Sequence, residues 1–163
     1  IDGFELSIKK LNYDLTNKSV IILGAGGVVP SIIYSLKRMK TSKIFVSNRT
    51  KKKAEELKDL FSDLQIINWG ELVNFDMIIN ATSLGLNKQD EFDQNFSQFG
   101  KNKFFYDVIY DPYKTNFFHV GNEKSNVYEN GLNMFLYQAQ KAFNIWHNIE
   151  PDINEEVIEF LKN

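Results

Sequence analysis

Gly24-Ala25-Gly26-Gly27 stands directly after the apolar run Val20-Ile21-Ile22-Leu23 and directly before a stretch of helical pattern. A glycine loop between a strand and a helix can hold phosphate without any charged side chain. The N–H groups of the helix start point at the ligand, and the helix dipole favours negative charge there. In such a loop Gly24 allows the tight turn and Gly26 lets the backbone approach a pyrophosphate. The third glycine of a dinucleotide fingerprint would fall at position 29, where Val29 stands, so helix and strand must pack slightly farther apart. Pro30 is tolerated in a helical first turn. The competing reading is a glycine turn in an unrelated α/β fold, and the strand-loop-helix setting favours nucleotide binding over it.

The end of the second strand bears on which dinucleotide is held. NAD-specific folds place Asp or Glu there to bond the adenine ribose 2′-hydroxyl. Ser47-Asn48-Arg49-Thr50 stands here instead. An acid would repel a 2′-phosphate, whereas the Arg49 guanidinium can stack on adenine and hydrogen-bond that phosphate, which favours NADP over NAD. Lys51, Lys52 and Lys53 add charge in the same turn; Lys53 serves equally well as a phosphate contact or as a solvated surface group.

These motifs need a scaffold of alternating strands and helices. A helix over 2–12 carries the apolar stripe Phe4, Ile8 and Leu11, and helical patterns follow at 27–39 and 51–61. Strands are expected at 20–23, 43–47, 65–67, 76–80 and 104–110, with a polar loop containing some helix over 87–103. C-terminal helices span 131–162: Leu132, Phe135, Leu136, Ala139, Phe143 and Trp146 line one face of the first, and Asp152 with Glu155 can cap the second. The alternation predicts an α/β, Rossmann-type, doubly wound parallel sheet in three layers, α/β/α, with residues 1–163 forming one domain.

Composition narrows the partners. With 163 residues, 43% hydrophobic, 25% charged and a net charge of −2, the chain can bury a core but has no broad basic surface for nucleic acid. The absence of cysteine excludes disulfides and thiolate sites and suits a cytoplasmic location. His119 and His147 form no metal site, and no run is long enough to span a membrane. The chain opens on Ile1-Asp2-Gly3 without an initiator Met, so it is expected to be the C-terminal portion of something longer.

Gly24-Ala25-Gly26-Gly27, Asn48-Arg49-Thr50 and Asn80-Ala81-Thr82-Ser83-Leu84-Gly85, in that order, resemble the shikimate dehydrogenase family. The likeness extends to Asp107-Val108-Ile109-Tyr110-Asp111-Pro112, to Lys114-Thr115, and to Asn130-Gly131-Leu132-Asn133-Met134 leading to Gln138. It implies NADPH-dependent reduction of 3-dehydroshikimate to shikimate in aromatic amino-acid biosynthesis. By the same resemblance Gly24, Ala25, Gly26, Gly27 and Val28 hold the pyrophosphate, and Asn48, Arg49, Thr50 and Lys53 the 2′-phosphate. Val108, Gly131 and Met134 then meet the nicotinamide end, and Thr82 and Ser83 border the cofactor. Asp2 matches an aspartate that contacts substrate and pairs with a catalytic lysine, while Tyr110 and Gln138 resemble substrate contacts.

Each of these residues has a plainer alternative. Asp2 could be a carboxylate stabilised by a helix start, Thr82 and Ser83 a strand-end turn, and Tyr110 scaffold. Gln138 shares a helix line with Met134 and Ala142, an apolar setting in which an amide is unusual unless something bonds it. Departures from the family pattern are Val29 and Pro30 after the glycines, Lys53 where Arg is common, and Asn133 in place of a glycine.

The family's catalytic lysine and its serine-containing substrate motif belong to an N-terminal domain that nothing in this sequence resembles. The fragment alone is therefore expected to bind NADP without turning over substrate, as a monomer or homodimer. The alternatives are a quinate/shikimate dehydrogenase of relaxed specificity, and a stand-alone NADP-binding module without catalysis.

Overall fold

The continuous apolar run at 20–23 forms the central strand of the protein, as burial on both faces requires. The computed structural model describes residues 1–87, 89–92, 96, 101–121 and 126–162. In chain order the elements are α1 (Asp2–Lys10), β1 (Ser19–Leu23), α2 (Val29–Arg38), β2 (Lys43–Ser47), α3 (Lys51–Leu60) and β3 (Gln65–Ile67). They continue with β4 (Met77–Asn80), β5 (Phe104–Asp107), α4 (Asn116–Gly121), β6 (Val127–Glu129), α5 (Leu132–His147) and α6 (Glu155–Lys162). All neighbouring strands pair in parallel, in the order β3-β2-β1-β4-β5-β6. This is a doubly wound Rossmann-type α/β sheet, and its strand order reverses between β1 and β4.

Alternation along the strands sends Val20 and Ile22 into one core layer and Ile21 and Leu23 into the other. The first layer is closed by α1 (Phe4, Ile8), α2 (Ile32, Ile33, Leu36), α3 (Ala54, Leu57) and Met134 of α5. The second is closed largely by aromatic rings: Phe75, Phe96, Phe105 and Phe117, with Phe92 packed against them. Phe105 and Phe117 meet at 5.4 Å between centroids, within the range of favourable ring pairs. A buried bond fixes α1 on the sheet. The Ser7 hydroxyl donates to the Phe4 carbonyl (2.7 Å), so the Tyr106 hydroxyl donates to Ser7 Oγ (2.8 Å).

The structure amends the sequence reading in five places. The fifth strand ends at Asp107 rather than Tyr110, because the Asp107 carboxylate accepts the Ile109 N–H (3.0 Å) and turns the chain out of the ladder. The short β6 and α4 carry no periodicity long enough to reveal them in the sequence. The predicted apolar face of α5 is buried only at its start: Leu132 and Leu136 are covered, while Phe143 and Trp146 are exposed. The last helix is capped by Asn154, whose side chain accepts the Val157 N–H, rather than by Asp152. Helix α2 begins at Val29, two residues later than expected, which lengthens the glycine loop. The expected loop over 87–103 lies partly outside the described residues. Among the described residues, no helix is long and apolar enough to cross a membrane.

Candidate functional site

Sheet register places the candidate residues in a row. Leu23 pairs with Ser47 on one side and Asn80 on the other, and Asn80 pairs with Asp107. The carboxyl ends of β2, β1, β4 and β5 are therefore level, and the loops leaving them form one edge, where ligands of doubly wound sheets bind.

The glycine loop leaves β1 on this edge. Its N–H at Gly24 donates to the Ser47 carbonyl (2.7 Å), tying the loop to the end of β2. Gly24 sits at φ +108, and a Cβ there would lie 2.6 Å from the Ala81 carbonyl oxygen, so this glycine serves the backbone. Gly26 and Gly27 differ: a Cβ on either would meet nothing within 4 Å. Both are exposed, and α2 has no side-chain cap at Val28. The uncapped start of α2 is thus open beside two exposed glycines, an arrangement that fits a phosphate. Ala25 and Val28 flank the loop and pack against the core layer beneath.

At β2 the chain turns directly into α3. Asn48 Nδ2 donates to the Thr50 carbonyl (2.8 Å) and shapes this turn. Arg49, Thr50, Lys51, Lys52 and Lys53 are all exposed. The first turn of α3 holds no acid, and Thr50 provides no side-chain cap. Three lysines at a positive helix end are unfavourable unless an anion is bound there.

Toward β4 and β5 the edge becomes buried and polar. Asn80 and Asp107 are both fully buried, and Asn80 Nδ2 donates to Asp107 Oδ1 (3.0 Å) and to the Leu84 carbonyl (3.0 Å). Thr82 Oγ1 donates to Asn80 Oδ1 (2.7 Å) and accepts the Leu84 N–H (3.0 Å), so this hydroxyl is committed to the turn; Ser83 is exposed. Thr115 Oγ1 donates to Asp107 Oδ2 (2.6 Å). In the sequence Asn80, Asp107 and Thr115 stand out as motif members, Asn80 also as a strand end bordering the cofactor, and none of them as a mutually bonded cluster. The available signal was an Asn and an Asp closing adjacent, otherwise apolar strands.

Burial pushes the Asp107 carboxyl up to about 6, against the hydrogen bonds from Thr115, Ile109 and Asn80, which favour its charged form. Below about pH 4 this group is protonated whether the chain is folded or not. Between about 4 and 6 the unfolded chain ionises first, so stability falls by about 3 kcal/mol in total and is flat above that window. Asp107→Asn keeps Oδ1 as acceptor and lets Nδ2 donate to Thr115, so it escapes this loss. In urea unfolding at pH 4 and pH 7, the variant should gain about 2–3 kcal/mol on the wild type between the two. Parallel pH profiles would contradict the assignment.

Helix α5 gathers the remaining candidates. At its start, a Cβ on Gly131 would stand 2.0 Å from the Val108 carbonyl oxygen, so only glycine permits this approach. Tyr110 stacks on Phe135 (4.6 Å between centroids, 18° between planes). Gly3 packs on the same helix: a Cβ there would lie 2.5 Å from the Met134 carbonyl oxygen and 3.0 Å from Gln138 Cβ. Asp2 and Gln138 therefore flank one helix crossing, and both are exposed; Gln138 does not lie in a buried apolar stripe. Met134 is a core residue, clustered with Phe4 and Ile8.

A separate cavity of about 810 Å³ lies between α6, β6 and the start of α5, lined among others by Lys10, Tyr113, Lys114, Glu129 and Lys162. Several of its charges are used internally. Lys10 Nζ donates to Asn133, Asn133 to Glu129, and Lys162 to Glu159. The glycine-loop edge is the better-built site, because its exposed glycines leave the uncapped start of α2 open.

Comparison with known proteins agrees with this geometry. The sequence pattern of the "Shikimate / quinate 5-dehydrogenase" family matches residues 5–108, well over half the chain. The chain belongs to that family. The pattern of the "Shikimate 5'-dehydrogenase C-terminal domain" matches residues 131–158. Among curated relatives, the shikimate dehydrogenase (NADP(+)) of Pelagibacter ubique (strain HTCC1062) is 52% identical over 161 residues, covering 99% of this chain and 61% of that protein. The crystal structure of shikimate dehydrogenase from Aquifex aeolicus superposes with a TM-score of 0.85 at 35% identity, covering 98% of this chain and 58% of that one. The shikimate 5-dehydrogenase of Thermus thermophilus, solved with NADP(H) and shikimate, superposes with a TM-score of 0.81 at 26% identity, covering 92% of this chain and 56% of that one. The chain thus spans about 60% of the length of its curated shikimate dehydrogenase relatives.

Proposed function

We propose that this chain is the NADP-binding part of a shikimate dehydrogenase, which reduces 3-dehydroshikimate to shikimate in aromatic amino-acid biosynthesis. One observation carries the reading: an open backbone cradle at Gly26 and Gly27 shares a sheet edge with an acid-free cationic turn at Arg49 to Lys53. Names agree with it, since the curated relatives at 52% and 39% identity are both shikimate dehydrogenases (NADP(+)).

In this reading Gly24 to Val28 hold the pyrophosphate on the start of α2, and Arg49, with Asn48, Thr50 and Lys53, receives the 2′-phosphate. Val108 and Gly131 border the nicotinamide, and Thr82 and Ser83 lie alongside. When bound, the reduced nicotinamide supplies the hydride. Reduction of a ketone builds charge on its oxygen, so a proton donor must be held there. Asp2 is the carboxylate that would hold such a donor, the lysine of the family resemblance, and none of the residues matched here is that lysine. Tyr110, stacked on Phe135 of α5, and Gln138, three residues farther along that helix, would offer a hydroxyl and an amide to the polar substrate. A cytoplasmic setting suits the reaction.

Calorimetric titration of this chain should give saturable NADPH binding, and incubation with shikimate and NADP should give no absorbance rise at 340 nm. Shikimate-dependent reduction by these 163 residues would overturn the division of labour, and absent NADPH binding would overturn the cofactor assignment.

A further inference from the structure

The buried polar cluster below the site lies outside the groups assigned above to cofactor or substrate. Asn80 joins the ends of β4 and β5 through its bond to Asp107, and it braces the 81–86 turn through Thr82 and Leu84. Asp107 uses its other oxygen to accept from Thr115, which returns from eight residues farther along the chain. Thr115 is itself buried, and its Cβ sits where a Cβ at Gly85 would approach to 2.9 Å. One hydroxyl therefore bonds β5 while its side chain packs on the 81–86 turn.

The segment closed by that bond, 108–114, carries Val108 against Gly131 and Tyr110 against Phe135. Its far side is fastened separately: Gly131 N–H donates to the Ile109 carbonyl (3.1 Å), and Asn130 Nδ2 donates to the Tyr113 carbonyl (3.0 Å). A buried carboxylate is an expensive way to close a loop. An apolar pair of similar volume would be as stable or more so, and burial disfavours the charge that Thr115 bonds. A cost of this kind is more readily retained where loop geometry matters than where only stability does.

We propose that Thr115, acting through Asp107 and Asn80, is a positioning residue that sets the 108–114 segment for the nicotinamide half of the cofactor. The proposal rests on the cofactor reading above. It concerns only the nicotinamide half, because the adenosine half is held at β1, β2 and α3, on the other side of the strand-order reversal.

That division supplies the test. Wild type, Thr115→Val and Thr115→Ser are titrated with NADPH and with 2′,5′-ADP, which lacks the nicotinamide half, while reduced-nicotinamide fluorescence is followed. Thr115→Val keeps the shape but loses the hydroxyl; Thr115→Ser keeps the hydroxyl. The expected result is that Thr115→Val binds 2′,5′-ADP as the wild type does, binds NADPH about tenfold more weakly, and loses the fluorescence change on binding. Thr115→Ser should restore both NADPH signals. Equal weakening of the two ligands would show general loosening and overturn the proposal, as would an unchanged NADPH response. Failure of the wild type to bind 2′,5′-ADP or NADPH would instead remove the cofactor reading, and the proposal with it.

Discussion

Arg49→Ala lowers the affinity of the chain for NADPH by about 10- to 100-fold and leaves NADH binding unchanged, the loss of one charge-assisted bond to a dianionic phosphate being worth ~1.5–3 kcal/mol. Arg49 is exposed and lies two residues past the end of β2, so its removal leaves the core intact and thermal unfolding unaffected. The neighbouring lysines set a lower bound on what remains. Lys51, Lys52 and Lys53 occupy the first turn of α3 with no acid among them, and they retain part of the attraction for a 2′-phosphate. Raising salt should therefore erode NADPH affinity in both proteins. Calorimetry with the two cofactors checks this, and a matching loss for NADH would place Arg49 on adenine or pyrophosphate rather than on the 2′-phosphate.

The glycines separate into two classes with opposite readouts. Gly131→Ala forces a Cβ to within 2.0 Å of the Val108 carbonyl oxygen, and Gly24→Ala combines a φ of +108 with a 2.6 Å approach to the Ala81 carbonyl oxygen. Both neighbours are backbone atoms and cannot swing aside. Each substitution should cost about 3 kcal/mol or more, lowering Tm by roughly 6–12 °C for a chain of this size. Gly26→Ala, whose Cβ meets nothing within 4 Å, should leave Tm unchanged. It should still weaken NADPH binding about tenfold, because the methyl stands where the pyrophosphate approaches the backbone. Calorimetric melting and NADPH titration of the three variants check the contrast. Undiminished binding by Gly26→Ala would show that the cradle is not the phosphate site.

The strongest features of the fold were legible because they repeat or are abrupt. The apolar runs at 20–23 and 43–47, each bounded by polar residues, announce buried parallel strands. The stripe of Phe4 and Ile8 announces α1. The glycine loop and the acid-free turn at Arg49 were legible because backbone anion sites depend on local sequence. What stayed hidden depends on tertiary partners. Strand β6 has three residues and exists by pairing with β5; α4 has six. The end of β5 at Asp107 is decided by a side-chain bond to Ile109 that no hydrophobic pattern encodes. Exposure of the distal half of α5 follows from what packs on it, which periodicity does not report. The Asn80–Asp107–Thr115 cluster joins positions 35 residues apart at its ends, and only strand register brings them together.

The central claim, that a dinucleotide lies along the carboxyl edge of β2, β1, β4 and β5, is tested most directly by amide chemical shifts of the isotopically labelled chain during titration with NADPH. The predicted result is saturable perturbation at Gly26, Gly27, Val28 and Arg49 and, at the nicotinamide end, at Val108 and Gly131, with Lys10 and the α6 wall of the other cavity, Glu155 to Lys162, undisturbed. Perturbation centred instead on Lys10, Glu159 and Lys162, or none at the glycine loop, would contradict it.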